Sequence, residues 1–344
     1  MMTLPAPLAM AVRVVAPIAL ALAVGGFALE LLGKNPIAYY GFVLERGLLR
    51  PGGLQETVTR MAPLLLIAAG LIVAFRAGMW NLGSDGQFLL AAVTAAGLAP
   101  ALADTLPRAL VLVASLLAGA LVGALWSLTP AILKARFGLN EIITTLMMSF
   151  LGVSLSNVLI KLLLRDPGTT VPQTRSLPVE ERLPRLFDTT VHSGLLIALA
   201  AVIGVHLLMT RTAFGLRVQV LGTNRAAAVH AGLEVERLIL AAFTLSAALI
   251  GLGGAVEVLG VWGTVRADWN PAYGALVVPL VFLARLNGYA VIALTLFFAA
   301  LMTGGESAAR RMGVPQNYVL VLVALVLMFL ALIEYLDRRR PRIA

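Results

Sequence analysis

Long stretches of apolar residues alternate with short polar segments along almost the whole chain. A backbone that lies in lipid must satisfy its own hydrogen bonds, and the strict alternation of barrel strands is absent, so each apolar run is predicted to be helical. The pattern predicts an all-α, polytopic transmembrane helical bundle with about ten membrane segments. The runs fall at roughly 14–33, 61–75, 88–103, 108–133, 142–164, 193–210, 238–261, 275–284, 289–304 and 318–336.

Two of these runs, 61–75 and 275–284, are too short to cross about 30 Å of hydrocarbon at about 1.5 Å per residue. Each is followed at once by a polar, glycine-containing break, residues 76–87 and residues 285–288. The chain after each break continues in the same order to a basic cluster, which predicts a weak internal repeat. Broken helices at corresponding places in two halves of a transporter mark the solute path. Ordinary turns between helices would give the same pattern.

The composition indicates that most side chains avoid water. Hydrophobic residues make up 60% of the 344 residues and charged residues only 12%, whereas a soluble domain has about 25% charged residues. The first apolar run is longer than the apolar part of a secretory signal, which has about 7–15 residues, so it is interpreted as a spanning helix that is not cleaved. Residues 1–344 are therefore interpreted as a single transmembrane domain.

The charged residues indicate contact with membrane lipid and not with nucleic acid. The net charge is +9, and basic residues collect in short loops and in the tail at Arg338, Arg339, Arg340 and Arg342. Such flanks face anionic headgroups. The absence of cysteine excludes disulfides, iron–sulfur clusters and thiolate zinc sites, and the three histidines are too scattered for a metal site. No metal and no cofactor are expected.

Three polar stretches define the predicted topology. Residues 165–192 contain four prolines, cannot be one regular helix, and are interpreted as a periplasmic loop. Residues 134–141, residues 210–237 and the C-terminal tail are placed in the cytoplasm. Lysine and arginine are nearly balanced between the two sides, so the dense basic tail alone favours this orientation. Within 210–237, Asn224 is a predicted N-cap and Gly232 a predicted stop of a short helix.

Four segments carry a recognisable pattern, of which the second and third are specific in combination. They are FRAGMWNLGSDGQFLLAA at 75–92, LKARFGLNEIITTLM at 133–147, FGLRVQVLGTNRAAAVHAGLEVERLILAAFTLSAALIGLGGAVEVLG at 214–260 and GGESAARRMGVP at 304–315. With them, the chain resembles the permease subunits of ABC importers of the ribose and branched-chain amino acid type, closest to the nucleoside and simple-sugar branch. The resemblance covers about residues 55–335.

The resemblance implies a division of labour in a bacterial inner membrane. A second permease subunit, usually a different homologous chain, would complete the pathway, a cytoplasmic ABC ATPase would drive it, and a solute-binding lipoprotein would deliver the solute from outside. This chain holds no G-x-x-x-x-G-K-[ST] run, so ATP hydrolysis would belong to a partner and the chain is not expected to be an enzyme. A stand-alone secondary transporter, which also uses broken helices, is the alternative.

The polar breaks supply the candidates for the solute pathway, namely Asn81, Asp85 and Gln87 in the first break and Asn287 in the second. A carboxylate at membrane depth is costly unless it is paired or hydrated, so Asp85 is expected to face the bundle interior or a watery cavity. The alternative is that Ser84 or Asp85 caps the helix that begins near Gln87.

Glu257 is a second intramembrane carboxylate, in the small-residue segment GLGGAVEVLG. Small residues let helices approach closely, so a buried Glu257 would need a cation, and Arg76 or Arg285 is the predicted partner. The alternative is a carboxylate that reaches the outer interface.

The predicted short helix within 210–237 can be interpreted in two ways. Its position in the resembled family implies a coupling helix that docks in a groove of the ATPase, whereas a solvated loop is the alternative. The candidate coupling residues are Asn224, Arg225, Ala227, His230, Ala231 and Gly232.

Overall fold

The computed structural model describes residues 6–315 and 317–339, and these ranges confirm the all-α prediction. They contain thirteen α-helices, two π-helical turns at Glu45–Leu49 and Val258–Trp262, and a 3-10 turn at Val179–Glu181. The helices are α1 (Ala6–Leu31), α2 (Pro36–Leu44), α3 (Pro51–Arg76), α4 (Ser84–Ala103), α5 (Arg108–Phe137), α6 (Glu141–Leu162), α7 (Gly194–Arg211), α8 (Ala213–Thr223), α9 (Arg225–His230), α10 (Val235–Glu257), α11 (Tyr273–Leu283), α12 (Gly288–Met312) and α13 (Tyr318–Arg339).

Seven of the described helices are long and apolar enough to cross a membrane, namely α3, α4, α5, α6, α7, α10 with its π-turn, and α12. Three further apolar stretches are shorter, at Val15–Leu31, Tyr273–Leu283 and Tyr318–Ile333. The chain is thus a multi-pass helical membrane protein. The count of about ten membrane segments and the internal repeat stay predictions. Of the basic tail, Arg340 and Arg342 lie outside the described residues.

The first short run belongs to a helix that is much longer than its apolar part. α3 has 26 residues, about 39 Å at 1.5 Å per residue, so the prediction that this run is too short to cross was wrong. The polar residues before it continue the helix because they find partners: the Arg60 guanidinium donates to both carboxylate oxygens of Glu306 at 2.7 and 2.8 Å. The second short run does form a short helix, since α11 has 11 residues.

The first polar break lies inside the bundle and not at its surface. A Cβ added at Gly86, in the first turn of α4, would lie 2.8 Å from the Cα of Ser149. Ser149 is eight residues beyond the start of α6 at Glu141, about 12 Å along that helix. α4 therefore begins deep in the protein, and residues 77–83 reach that depth without helical structure.

The core of the bundle is built around α3 and α10, which contact each other and most of their neighbours. Close approach depends on small residues. Gly254 of α10 faces the backbone carbonyl of Phe88 in α4, and Gly123 of α5 faces the carbonyl of Ala247, with no room for a side chain at either glycine. Within this core α3 is enclosed by its neighbours, and its residues 61–74 are all buried.

The loop at 165–192 and the helices α8 and α9 lie at opposite ends of the bundle. The Thr190 N–H donates to Gln55 near the start of α3 at 3.2 Å. A Cβ at Gly78, just after the end of α3, would lie 2.9 Å from the Cα of Gly222 in α8. Since α3 separates these two contacts by its full length, one end of the molecule carries the proline-rich loop and the other carries α8 and α9.

Candidate functional site

The first break holds a closed network of amide side chains. Asn81 and Gln87 exchange two hydrogen bonds of 3.1 Å, and the Asn81 amide also donates to the Ser246 hydroxyl at 3.1 Å. Asn81 and Gln87 are 0% and 1% exposed, so these bonds satisfy groups that would otherwise be costly to bury. The network ties the non-helical segment to the middle of α10. Contact of these two amides with a solute stays a prediction.

Asp85 joins the first break to the second short helix. Its carboxylate accepts a hydrogen bond of 2.8 Å from the Gly274 N–H in the first turn of α11. A negative charge is favoured at a helix N-terminus by the unpaired N–H groups and the helix dipole. The capping alternative for α4 is wrong: that helix starts after Gly83 and has no side-chain cap, because Ser84 and Asp85 already belong to its first turn.

Asn287 has a local structural role in the second break. Its side-chain oxygen accepts hydrogen bonds from the N–H groups of Tyr289 at 2.9 Å and Ala290 at 3.3 Å, which caps α12. The cap satisfies donors that a helix start leaves unpaired. Asn287 stays a pathway candidate by prediction only.

Glu257 does not pair with either predicted arginine, which corrects that prediction. Arg76 donates to the backbone carbonyls of Leu286 at 3.1 Å and Met209 at 3.4 Å, at the end of the bundle that carries α8. Arg285 is exposed in the turn before α12. Glu257 lies at the opposite end of the bundle from these two arginines, because α10 begins beside α9 and ends at Glu257.

The carboxylate of Glu257 is instead held by aromatic groups. Its Oε1 accepts from the Trp262 indole N–H at 3.0 Å and from the Tyr273 hydroxyl at 3.2 Å. Its Oε2 has no hydrogen-bond partner among the described residues, and the side chain is 2% exposed. The interface alternative is therefore also wrong, since the group is buried.

A cavity of about 590 Å³ opens beside Glu257 at the end of the bundle that carries the proline-rich loop. That volume is within the range of about 300–1,000 Å³ found for small-molecule sites. The cavity is lined by charged and aromatic side chains from α3, the end of α10, the segment after it, α11 and α12, among them Glu56, Arg60, Glu257, Trp262, Trp269, Tyr273 and Glu306.

Arg60 and Glu306 are cavity residues that the sequence analysis missed. Arg60 directly precedes the apolar run 61–75, and Glu306 follows the run 289–304 by two residues. A charge at the edge of an apolar run is a signal for an intramembrane functional group. Because each charge lies just outside its apolar run, the hydrophobic pattern alone does not show that both residues belong to spanning helices.

The predicted helix in 210–237 is confirmed as α9, Arg225–His230. Asn224 caps it by accepting from the Ala227 N–H at 3.1 Å, and the chain turns at Gly232, whose φ of +72° suits glycine. We call its exposed residues the α9 surface. They are Asn224, Arg225, Ala226, Ala227, Val229, His230, Ala231 and Gly232. Attachment of an ATPase to this surface stays a prediction.

α8 links this helix to the first break. A side chain at Gly222 of α8 would collide with the carbonyl of Arg76 and with the backbone at Gly78. The backbones of α8 and of the segment 77–83 are therefore in direct contact. The contact is possible only because both positions lack a side chain.

Comparisons with known proteins agree with this architecture. A family described as "Branched-chain amino acid transport system / permease component" matches residues 53–332. The glucose ABC transporter permease protein TsgB13 of Haloferax volcanii is 36% identical over 99% of this chain and 92% of its own length. The nucleoside ABC transporter permease protein NupB of Lactococcus lactis is 27% identical over 92% of this chain and 90% of its own length.

A third relative extends the same picture. The guanosine ABC transporter permease protein NupP of Bacillus subtilis is 28% identical over 80% of each chain. The family match covers well over half of the 344 residues, and it includes the broken segment, α8, α9 and the cavity. The chain belongs to the family of permease components of branched-chain amino acid transport systems.

Proposed function

We propose that this permease carries a nucleoside or a simple sugar into a bacterial cell as one membrane subunit of an ABC importer. The three relatives described above are named for glucose, nucleosides and guanosine. Those solutes share a chemical class, since each is a neutral ring compound with several hydroxyl groups. The solute class rests on these names together with the aromatic and carboxylate lining of the cavity.

The observation that carries the ATP-driven mechanism is the exposed α9 surface, held against the core through α8. We place the cytoplasmic ABC ATPase on this surface. A flexible loop would absorb the motion of the ATPase, whereas a capped helix with a fixed backbone contact can transmit it. Asn224 and Gly232 set the two ends of the helix, and Ala227 and Ala231 leave a slim face for docking.

The remaining partners follow from the two ends of the bundle. With α9 in the cytoplasm, residues 165–192 face the periplasm of a bacterial inner membrane, where a solute-binding lipoprotein would dock. The large apolar side chains of α5 and α6 that face away from the bundle, such as Leu117, Leu121 and Phe150, support contact with lipid and with a second permease subunit. We expect that subunit to be a different homologous chain.

The test is uptake of labelled glucose, adenosine and guanosine by proteoliposomes that contain the permease with its ATPase, second permease and binding protein. We expect accumulation that requires ATP and the binding protein. A matched preparation carries an ATPase that cannot hydrolyse ATP and should not accumulate solute. Uptake driven by a proton or sodium gradient in liposomes with this chain alone would establish a secondary transporter and overturn the proposal.

A further inference from the structure

An unsatisfied carboxylate oxygen lies beside the cavity at the periplasmic end of the proposed importer. Glu257 lines this cavity, and its Oε2 finds no donor among the described residues although the side chain is 2% exposed. A buried oxygen that accepts no hydrogen bond is costly, so such a group needs an occupant that donates one. The other oxygen is fixed by Trp262 and Tyr273, which holds the carboxylate in place.

The charges around the cavity favour an occupant without net charge. The Arg60 guanidinium is already bound by Glu306 and, at 3.1 Å, by Glu56, so it offers little to an anion. An anion would also meet the carboxylates of Glu56, Glu257 and Glu306. Together with Arg185, the lining sets three carboxylates against two guanidiniums, so neither sign of charge is in large excess. Such a lining attracts an ion too weakly to offset the loss of its water shell, whereas a neutral molecule does not have that cost.

The aromatic residues favour an occupant with a ring. The rings of Trp262 and Trp269 lie 6.2 Å apart at 63°, so they form a corner and not a closed stack. Trp262 is 49% exposed, so about half of its surface is accessible beside the cavity that it lines. Indole faces pack against sugar rings and stack with nucleobases. The corner therefore adds an apolar platform next to the free carboxylate oxygen.

We infer that this cavity is a transit site for the solute, in which a sugar or ribose hydroxyl donates to Glu257 Oε2 while the ring of the solute packs on Trp262 and Trp269. The inference rests on the proposed function and adds the residues that would hold the solute on its way from the binding protein. The site lies within this one permease chain, so its residues can be tested without changing the partner subunit.

The decisive variant is Glu257→Gln in the complete importer, with uptake of glucose or guanosine and ATP hydrolysis measured on the same proteoliposomes. The glutamine keeps the shape, but its amide oxygen must face the donors Trp262 and Tyr273, so an NH2 group that cannot accept a hydrogen bond takes the place of Oε2. We expect uptake per ATP hydrolysed to fall about tenfold, the effect of losing one good hydrogen bond. Glu141→Gln is the matched control, because Glu141 is a helix carboxylate paired with Lys134 at 2.6 Å, away from the cavity.

The outcomes separate the inference from the proposed function. Unchanged uptake per ATP in Glu257→Gln, with a wild-type importer that carries these solutes, overturns the transit site and leaves the importer standing. A wild-type importer that carries neither a sugar nor a nucleoside overturns the proposed solute class, and the inference with it. An equal loss in Glu257→Gln and Glu141→Gln shows a general defect and also overturns the inference.

A binding measurement keeps the inference testable if Glu257→Gln does not accumulate in the membrane. The chain has four tryptophans, and Trp80→Phe with Trp126→Phe leaves only Trp262 and Trp269 as emitters. We expect glucose to change the tryptophan emission of this variant in a saturable way. No change up to concentrations that saturate transport by the same variant overturns the inference.

Discussion

The Asp85 carboxylate accepts a 2.8 Å hydrogen bond from the Gly274 N–H, which fastens the start of α4 to the start of α11. α4 follows the first polar break, and α11 is the helix of the second short apolar run. One is preceded by the non-helical segment 77–83, and the other is only 11 residues long. The side chain of Asp85 therefore joins the helix that follows the non-helical segment to the short helix α11.

Asp85→Ala is expected to lower transport and to loosen α11. Removal of a side chain that satisfies a helix N-terminus costs about 0.5–2 kcal/mol. The measurements are uptake by the complete importer and thermal unfolding of the purified permease. Asp104→Ala is the control, since Asp104 pairs with the exposed Arg175 at the surface, where an ion pair contributes about 0–1 kcal/mol. Wild-type uptake by Asp85→Ala would show that the Asp85–Gly274 bond is dispensable for transport.

Ala227→Trp is expected to prevent tight docking of the ATPase on the α9 surface. Overfilling a packed contact costs about 1–3 kcal/mol, so less ATPase should co-purify and stimulation of ATP hydrolysis by the binding protein should weaken. Ala109→Trp is the control, because Ala109 is equally exposed but lies at the opposite end, beside Arg108 and its contact with Arg182. Normal co-purification with Ala227→Trp would show that α9 is not the coupling element.

The ion pair between Arg60 and Glu306 is expected to couple α3 to α12. Removal of Arg60 leaves the partly buried Glu306 without its two hydrogen bonds from that guanidinium, which costs about 2 kcal/mol, whereas removal of Glu306 leaves Arg60 bound to Glu56 alone. A double-mutant cycle with Arg60→Met and Glu306→Met, followed by thermal unfolding in detergent, measures the coupling. The same cycle on the exposed pair of Lys161 and Asp268, 3.3 Å apart, serves as the comparison. Equal coupling energies in the two cycles would contradict the prediction.

Two glycine variants are expected to have opposite effects. Gly254→Ala places a methyl group against the carbonyl of Phe88 and should destabilise the permease by about 1–3 kcal/mol. Gly204→Ala lies on an exposed, unobstructed face of α7 and should stabilise it by about 0.5–1 kcal/mol. Unfolding temperatures of the two variants test both signs at once. A tolerated Gly254→Ala would mean that α4 and α10 can separate at no cost.

Stability is expected to fall in mild acid because of His192, in the loop before α7. Burial lowers the pKa of His192 to about 4, below the usual value of about 6.5 in an unfolded chain. Between these two values the unfolded state binds more protons, so stability rises with pH and is lost as pH falls. The loss from pH 7 to pH 5 is about 2 kcal/mol. His192→Asn should reduce this slope. An unchanged slope in His192→Asn would show that other groups cause the acid sensitivity.

Much of the fold could be predicted from local sequence, because an apolar run in lipid can only be a helix. The short helix α9 was predictable for a local reason too, since its cap at Asn224 and its stop at Gly232 are read within nine residues. The extent of α3 was not. Its polar beginning is helical because Arg60 binds Glu306, 246 residues further along the chain, and no local pattern contains that contact.

The candidate site, like the fold, could be predicted from the sequence only in part. The presence of a polar break could be predicted, since polar residues between apolar runs are visible in any one sequence. The structure limits the break to 77–83, which contains Asn81, whereas Asp85 and Gln87 lie in the first turn of α4. Their partners were not predictable, because Ser246 and Gly274 are brought to them by the packing of α10 and α11. The wrong pairing for Glu257 has the same origin. Proximity of arginines to apolar runs says nothing about the depth at which each side chain lies.

The segment 77–83 has a mechanical consequence that follows from its two attachments. At one end Gly78 touches Gly222 of α8, and at the other Asp85 holds Gly274, next to Tyr273 in the cavity wall. A helix between these points would be a stiff rod that moves as a whole. A non-helical segment that is tied to α10 through the Asn81 side chain can change its path while its ends stay attached. Any displacement of α8 must therefore either break the glycine contact or pull on this segment, and Asp85, two residues beyond its end, binds the neighbour of the tyrosine that donates to Glu257.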